Sequence, residues 1–170
     1  DTNLTVINQK ILNKLKQFKR VELAVSCDDI EDRFEYVRHG GEWNVLKHNL
    51  AIVKDLMTNQ GHWGGIHAVY NIYNATRICE LRQFAEDTKT TVLWQNLFQP
   101  EYLDPFLHGL AVADKAAKEI EKLYATFEVT PAEKSFFDNA LQTYKSIKEA
   151  KPTIEEKFAE HIQRIESIYH

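Results

Sequence analysis

The chain has 170 residues, of which 44% are hydrophobic and 27% are charged. This length and composition are ordinary for one globular domain with a substantial core. A net charge of -4 argues against the basic surface of a nucleic-acid-binding protein. No apolar run approaches the roughly 20 residues that a membrane helix needs. We therefore expect no nucleic-acid partner and no membrane partner.

The two cysteines, Cys27 and Cys79, bear on the compartment in which the protein functions. They lie far apart in sequence and neither belongs to a CxxC pair, so free buried thiols are expected. The first ten residues also lack the basic region followed by an apolar stretch that marks a secretory signal. Together these observations predict a cytoplasmic location.

Hydrophobic patterning predicts that strands and helices alternate over the first hundred residues. Apolar residues recur at helical spacing in three stretches, and β-branched residues mark three short strands between them. The expected order is helix 6–18, strand 21–25, helix 42–58, strand 66–72, helix 76–88 and strand 90–97. Gly61 to Gly65 are interpreted as a turn before the second strand. Such alternation indicates parallel βαβ units with right-handed crossovers.

The last third of the chain has a helical pattern only. Apolar residues recur at helical spacing over 112–127 and 137–147. Thr130-Pro131-Ala132-Glu133 is a capping box with proline at the first helical position, which marks a helix start. A second capping box at 153–156 predicts a third helix. The expected fold is therefore α/β, with about three parallel strands and their helices followed by a C-terminal helical segment.

Polar residues follow the first strand, at the position where parallel α/β folds build ligand sites. Ser26 and Asp28 end this strand, and the polar loop expected after it carries Arg33, Arg38 and His39. Ser26 and Asp28 either bind a ligand or satisfy the backbone where the strand meets the loop. The arginine forks suit carboxylates and phosphates, and ion pairing with nearby acidic residues is the alternative.

Amide side chains occupy the corresponding ends of the other two strands. Asn71 and Asn74 flank the end of the second strand, and Gln95 and Asn96 lie on the third. Because parallel strands point the same way, we expect these residues to converge with Ser26 at one edge of the sheet. No metal site is expected from this chain alone, since its histidines and cysteines lack zinc-site spacing. No triad order or nucleophile elbow appears, so the catalytic residues are unknown.

The segment VELAVSCDDIEDRFEYVRHGGEW at 21–43 resembles the fourth strand and following loop of the radical S-adenosylmethionine enzymes. Ser26-Cys27-Asp28 resembles the S-x-D element of that strand. The next match looks like the loop and helix of the branch with a twitch-type C-terminus, and it comprises Arg33 to Gly40, Trp43 and Asn49. Later matches resemble the fifth strand and helix and the segment after the sixth strand, and they are Asn71 to Asn74, Leu81 to Phe84 and Pro100 to Leu103. Asn3-Leu4-Thr5 would be the exit of the third strand.

This resemblance covers roughly residues 3–110. It implies a partial, half TIM-like barrel over 1–110, with a helical extension over 111–170 packed on it. In the family, a CxxxCxxC loop after the first strand holds a [4Fe-4S] cluster that binds S-adenosylmethionine. The chain has no such loop, so a cluster is implied only if an N-terminal half supplies the cysteines.

The resemblance also implies a set of cofactor-binding residues. Ser26 and Asn71 would contact S-adenosylmethionine, and Arg38 would favour its carboxylate. Asp28 and Gln95 complete the implied set. The resemblance implies no metal-binding role for any of these residues.

Three functions are open from the sequence. In the first, the chain is the C-terminal portion of a radical S-adenosylmethionine enzyme of unknown substrate. In the second, it is a non-catalytic interaction module derived from a degenerate barrel. In the third, it is another enzyme that uses S-adenosylmethionine or a nucleotide without a cluster. Parallel sheets need both faces buried. We therefore expect the tail helices, a second copy or the missing N-terminal barrel half to cover the inner face, and we favour self-association over a solvent-open sheet.

Overall fold

The computed structural model describes residues 2–60, 63–97 and 99–149. It contains strands and helices in the expected alternating order. The elements are α1 Gln9–Leu15, β1 Glu22–Ser26, α2 Glu31–Val37, α3 Trp43–Gln60, β2 Trp63–Tyr70, α4 Ile78–Asp87, β3 Val92–Asn96, two 3₁₀ turns at Glu101–Leu103 and Pro105–Leu107, α5 Leu110–Thr126 and α6 Pro131–Glu149. The helix expected after 153 lies outside the described residues.

Two local expectations are corrected by the structure. The strand β2 begins at Trp63, so Gly64 and Gly65 lie inside the strand, where they pair with Leu23 and Ala24. The segment Glu31–Val37, expected as a polar loop, is a two-turn helix. Its sequence has no apolar stripe, but Phe34 is only 1% exposed. Packing of this one ring therefore stabilises a helix that the local pattern does not predict.

The three strands form one parallel sheet in the order β1-β2-β3. β1 and β2 pair from Glu22 opposite Trp63 to Ser26 opposite His67. Outside these strands, Thr2 forms a parallel bridge with Val25 of β1. The Thr2 N–H donates to the Ala24 carbonyl at 2.9 Å, and the Ser26 N–H donates to the Thr2 carbonyl at 2.8 Å. At Thr2, the N-terminal segment therefore pairs with the edge of β1 that does not face β2.

The chain divides into two compact units. Unit 1 comprises the chain up to Val69 together with Glu80–Gln95, and unit 2 comprises Tyr70–Cys79 together with the chain from Asn96 onward. Unit 1 holds α1 to α3 and most of the sheet. Unit 2 holds the turn after β2, the two 3₁₀ turns and the helices α5 and α6.

The core of unit 1 lies on one face of the sheet. Val25, Ile66 and Val92 supply alternate strand residues, and Trp43 of α3 packs on Phe84 of α4 with ring centroids 4.8 Å apart. Among the residues whose burial the structure describes, this core comprises Leu4, Val25, Cys27, Phe34, Trp43, Leu46, Leu50, Val53, Ile66, Ala68, Leu81, Ala85 and Val92. Trp43, Leu46, Leu50 and Val53 of the stripe predicted for α3 are therefore confirmed as core, and helices cover this face.

The opposite face of the sheet is partly exposed. It carries the intervening strand residues, of which Gly65 is buried. Those that are half-buried or exposed include Ala24, Ser26, His67, Val69, Leu93 and Gln95. Leu93 is 39% exposed, whereas Val25 and Val92 on the helix-covered face are 1% and 5% exposed. We call this partly exposed surface the open face.

In unit 2, α5 and α6 pack together. The buried side of α5 is rich in small residues, and Phe137 of α6 is also buried. The Glu133 N–H donates to Thr130 Oγ1 at 3.2 Å, and the Thr130 N–H donates to Glu133 Oε2 at 3.0 Å. These reciprocal bonds confirm the predicted capping box. None of the described helices combines the length and apolarity required to cross a membrane.

Candidate functional site

The carboxyl end of β1 in unit 1 is organised around Asp28, which is 7% exposed. Its Oδ1 accepts a hydrogen bond from the Val69 N–H at 2.8 Å, and its Oδ2 accepts one from Arg38 Nη2 at 2.7 Å. One carboxylate therefore links the end of β1 to β2 and to the end of α2. Asp28 therefore satisfies a backbone N–H, as in one of the two interpretations of the sequence, and it also orients Arg38.

The turn after α2 positions Arg38. Its N–H donates to the Phe34 carbonyl at 2.9 Å and closes the helix. Gly40 has φ +81°, and a Cβ on Gly41 would lie 2.9 Å from the Phe34 ring. Both positions therefore favour glycine, for conformational freedom and for close approach. This compact turn holds the guanidinium against Asp28.

The Arg38 side chain retains an unused donor. Its Nε is buried and has no hydrogen-bond partner among the residues that the structure describes. A guanidinium can donate through five N–H groups arranged as a rigid fork. With Nη2 bonded to Asp28, Nε offers a desolvated donor suited to an acceptor such as a carboxylate oxygen.

Arg33 has a different environment. Its Nε donates to Asp29 Oδ1 at 3.1 Å, and its Nη2 donates to a Glu80 carboxylate oxygen on α4. Burial alone would lower the pKa of Arg33, but Asp29 and Glu80 outweigh it and raise that pKa above its usual value. Arg33 is therefore an ion-pairing residue that connects α2 with α4, which matches the alternative considered from the sequence.

Ser26 and Gln95 lie on the open face. Ser26 ends β1 opposite His67 and is half-buried, whereas Gln95 is an exposed residue of β3. The strand β2 separates β1 from β3 in the sheet. The structure thus joins Asp28 and Arg38 directly and places Gln95 two strands away from Ser26.

Asn71 belongs to unit 2 and is 5% exposed. Its Oδ1 accepts from the Tyr73 N–H at 2.9 Å, and its own N–H donates to Asn74 Oδ1 at 2.9 Å. The Asn71 carbonyl accepts from the Ala75 N–H at 2.9 Å. Asn71 and Asn74 therefore stabilise the turn after β2 through their side chains.

Both cysteines of the chain are free, buried thiols. Burial and the Asp28 charge raise the pKa of the Cys27 thiol to about 12, and its Sγ donates to the Asp29 carbonyl at 3.1 Å. Burial and Glu119 likewise raise the pKa of Cys79 to about 12. Cluster ligands are thiolates, so binding a cluster would require each thiol to lose a proton that its surroundings stabilise. The described part of the chain contains no group of three potential metal ligands.

Unit 2 also contains a cavity of about 270 Å³ that no pattern in the sequence predicts. Tyr70 of β2 and Asp104, the N-cap of the second 3₁₀ turn, contribute to its wall. Tyr70 lies in an apolar strand and therefore resembles an ordinary core residue in the sequence. The Asp104-Pro105 pair is a recognisable helix-start signal, but it gives no indication of a cavity.

Comparison of the chain with models of known protein families and with curated proteins finds no match.

Proposed function

We propose that the chain is the C-terminal portion of a radical S-adenosylmethionine enzyme of the cytoplasm and that the carboxyl end of β1 contributes to the binding of S-adenosylmethionine. In this proposal, residues 1–110 form half of a TIM-like barrel and 111–170 a helical extension. The cluster cysteines come from an N-terminal barrel half, because Cys27 and Cys79 do not fit that role. In this family, S-adenosylmethionine at the cluster supplies radical chemistry.

The strand order supports a half barrel. Both connections, from β1 to β2 and from β2 to β3, advance in the same direction across the sheet. The helices between these strands contribute to a core on one face, as in a (βα)₈ barrel. A complete doubly wound sheet reverses its strand order between its two halves, and the three described strands contain no such reversal. The open face corresponds to a barrel interior, against which a second half would pack.

The N-terminal segment is the observation that carries the proposal. If Asn3-Leu4-Thr5 leave the family's third strand, the residue before them must lie beside β1 in parallel. Thr2 forms a parallel bridge with Val25. The side-chain amide of Asn49, on α3, donates to the Leu4 carbonyl at 2.8 Å and holds this segment in place. No strand pattern in the sequence predicts this bridge, so it supports the resemblance independently.

Arg38 is the residue best suited to contact the ligand. Its buried Nε–H lacks an acceptor among the described residues, and the ligand carries a carboxylate. Asp28 has both oxygens bonded within the fold, to Val69 and Arg38. We therefore assign Asp28 the role of orienting Arg38. Ser26, Asn71 and Gln95 remain proposed contacts on the basis of the resemblance alone.

Calorimetric titration with S-adenosylmethionine tests this function. Arg38→Ala should weaken binding about tenfold to a hundredfold, because a hydrogen bond to a charged group is lost. Arg38→Lys keeps the charge beside Asp28 and removes the fork, so it should also bind more weakly while remaining folded. Arg20→Ala is the matched control, since Arg20 pairs with Glu22 near the opposite end of β1 at 2.6 Å.

The outcomes of this titration separate the hypotheses. Wild-type affinity in both Arg38 variants would rule out a ligand role for Arg38. A lack of binding by the wild-type chain would favour the second candidate, a non-catalytic interaction module. One observation supports that candidate: both oxygens of Asp28 accept hydrogen bonds from within the chain, as expected of a residue with a purely structural role.

In the module hypothesis, the open face pairs with a second copy of the chain. Leu93 lies on that face and is 39% exposed, so Leu93→Lys should abolish a dimer measured by light scattering. Leu107 is exposed to a similar extent, 36%, on a 3₁₀ turn of unit 2, and Leu107→Lys serves as the control. A strict monomer at all concentrations would rule out self-association through this face.

A further inference from the structure

The cavity of unit 2 is built from four separate stretches of chain. Its volume of about 270 Å³ is close to the lower end of the roughly 300–1,000 Å³ typical of small-molecule sites. It is lined by nine described residues: Tyr70, Asn96, Leu97, Asp104, Pro105, Phe106, Asn139, Ala140 and Thr143. Its wall therefore combines aromatic and apolar surface with a few polar groups, as in most ligand pockets.

The Tyr70 hydroxyl is the first indication of a ligand. Tyr70 is 4% exposed, and its ring packs against Phe106, Phe136 and Phe137 at centroid distances of 6.3, 6.0 and 5.8 Å. Its Oη is buried and has no hydrogen-bond partner within the described ranges. An unpaired buried hydroxyl destabilises the fold, and phenylalanine would satisfy the same aromatic contacts. The hydroxyl is therefore free to bond a ligand that enters the cavity.

The charge of the cavity is the second indication. Asp104 is the one ionisable carboxyl group of the described wall, which holds no lysine, arginine or histidine. Its Oδ1 accepts from the Phe106 N–H at 2.9 Å, and none of the described residues bonds its Oδ2. Burial and the Asp104 charge raise the pKa of Tyr70, so the phenol stays protonated and its oxygen can accept a hydrogen bond.

We propose that this cavity binds a small organic cation, an amine whose ammonium group donates to Asp104 and to the Tyr70 oxygen. The apolar part of the ligand would contact Leu97, Pro105 and Phe106. A carboxylate beside aromatic rings attracts a cation and disfavours an anion. This site uses unit 2 residues alone and does not depend on the proposed binding of S-adenosylmethionine.

Three probes that share an indole ring test the charge preference. Tryptamine carries a positive charge, tryptophol is neutral and indole-3-propionate is negative. Titrations of the chain, followed by amide chemical shifts, should show at least tenfold tighter binding of tryptamine than of the other two. The shifts should concentrate at the residues that line the cavity.

Two conservative variants test the assigned contacts. Asp104→Asn keeps an oxygen that can accept from the Phe106 N–H but removes the charge, so the preference for tryptamine should disappear. Tyr70→Phe should weaken tryptamine binding about threefold to tenfold, because one hydrogen bond is lost. Tyr124→Phe is the matched control, since the Tyr124 hydroxyl donates to Asp138 at 3.0 Å and does not line the cavity.

Three results would overturn the proposal. The first is equal affinity for all three probes, which would indicate an apolar cavity whose Tyr70 hydroxyl is bonded to water. The second is no binding of tryptamine at millimolar concentration. The third is an unchanged preference for tryptamine in Asp104→Asn, in a variant whose amide spectrum away from the cavity matches that of the wild type.

Discussion

Arg38 and Asp28 form an ion pair in which Nη2 lies 2.7 Å from Oδ2, at the carboxyl end of β1. The second oxygen of Asp28 bonds to the Val69 N–H at 2.8 Å. The pair therefore lies at the meeting point of β1, β2 and the end of α2. Because Asp28 is buried, loss of Arg38 would leave a desolvated carboxylate without its counter-charge.

Arg38→Ala should lower the free energy of unfolding by about 1–3 kcal/mol, because a buried charged hydrogen bond is lost. Urea unfolding followed by tryptophan fluorescence measures this, since Trp43, Trp63 and Trp94 all belong to unit 1. Arg20→Ala should cost less than about 0.5 kcal/mol, because the Arg20–Glu22 pair is exposed. Equal losses in the two variants would contradict the structural role of the Arg38 pair.

Anaerobic reconstitution of the chain with iron and sulfide should yield no stoichiometric four-iron cluster. The chain has two cysteines, both buried and each with its thiol pKa raised to about 12, whereas the cluster of radical S-adenosylmethionine enzymes takes three thiolates. Iron counting and visible absorption measure the outcome. A cluster with four irons per monomer would show that Cys27 or Cys79 becomes a ligand.

The stability of unit 1 should decrease at alkaline pH in a way that depends on Cys27. Burial raises the pKa of this thiol from 9.0 to about 12, so the folded chain holds the proton more tightly than the unfolded chain. The contribution of the Cys27 thiol to the free energy of unfolding is fully present below pH 9.0 and is lost as the pH rises towards about 12. The free energy of unfolding should therefore fall by at most about 1.4 kcal/mol per pH unit through this group.

Urea unfolding of wild type and Cys27→Ala between pH 8 and pH 11 measures that contribution, at roughly one-unit intervals. The variant removes the thiol and should show the smaller decrease. Parallel curves for the two proteins would contradict a raised pKa at Cys27.

Thr130→Ala should destabilise the start of α6 by about 1 kcal/mol, because the capping hydroxyl is lost. Thr130→Ser retains the hydroxyl that accepts from the Glu133 N–H, so its effect should be close to zero. Hydrogen exchange of the amides in the first turns of α6 measures the change locally. Equal exchange rates in the two variants would exclude a capping role.

Tyr70→Phe should raise the free energy of unfolding by about 1 kcal/mol in ligand-free protein, because it removes a buried hydroxyl without a partner in the described chain. Far-UV circular dichroism during urea unfolding follows the helices of both units, including α5 and α6 of unit 2. Tyr124→Phe loses the bond to Asp138 and should be neutral or destabilising. A loss of stability in Tyr70→Phe would mean that the hydroxyl is already satisfied in the free protein.

Local patterns in the sequence were sufficient for the main elements. Trp43, Leu46, Leu50 and Val53 recur at helical spacing because α3 buries one side, and all four lie in the core. Thr130 and Glu133 predicted the start of α6 because the bonds of a capping box join residues only three positions apart. The parallel arrangement of the strands followed from their alternation with helices.

Tertiary packing decided the features that depend on residues distant in sequence. Phe34 makes Glu31–Val37 helical by entering the core, and the pairing of Gly64 and Gly65 with β1 places them within a strand. No periodicity encodes such contacts, because they depend on which surfaces meet after the chain has folded.

The candidate sites show the same division. The sequence alone predicted Ser26, Asp28, Arg38, Asn71 and Gln95 as one convergent set. The structure bonds Asp28 to Arg38, while the Asn71 side chain bonds within its own turn. The cavity beside Tyr70 draws its wall from residues as far apart as 70 and 143. The directions of the strands follow from their alternation with helices, and they predict which edge of the sheet the polar residues at the strand ends reach. Hydrogen-bond partners and cavities instead depend on the positions of side chains in space.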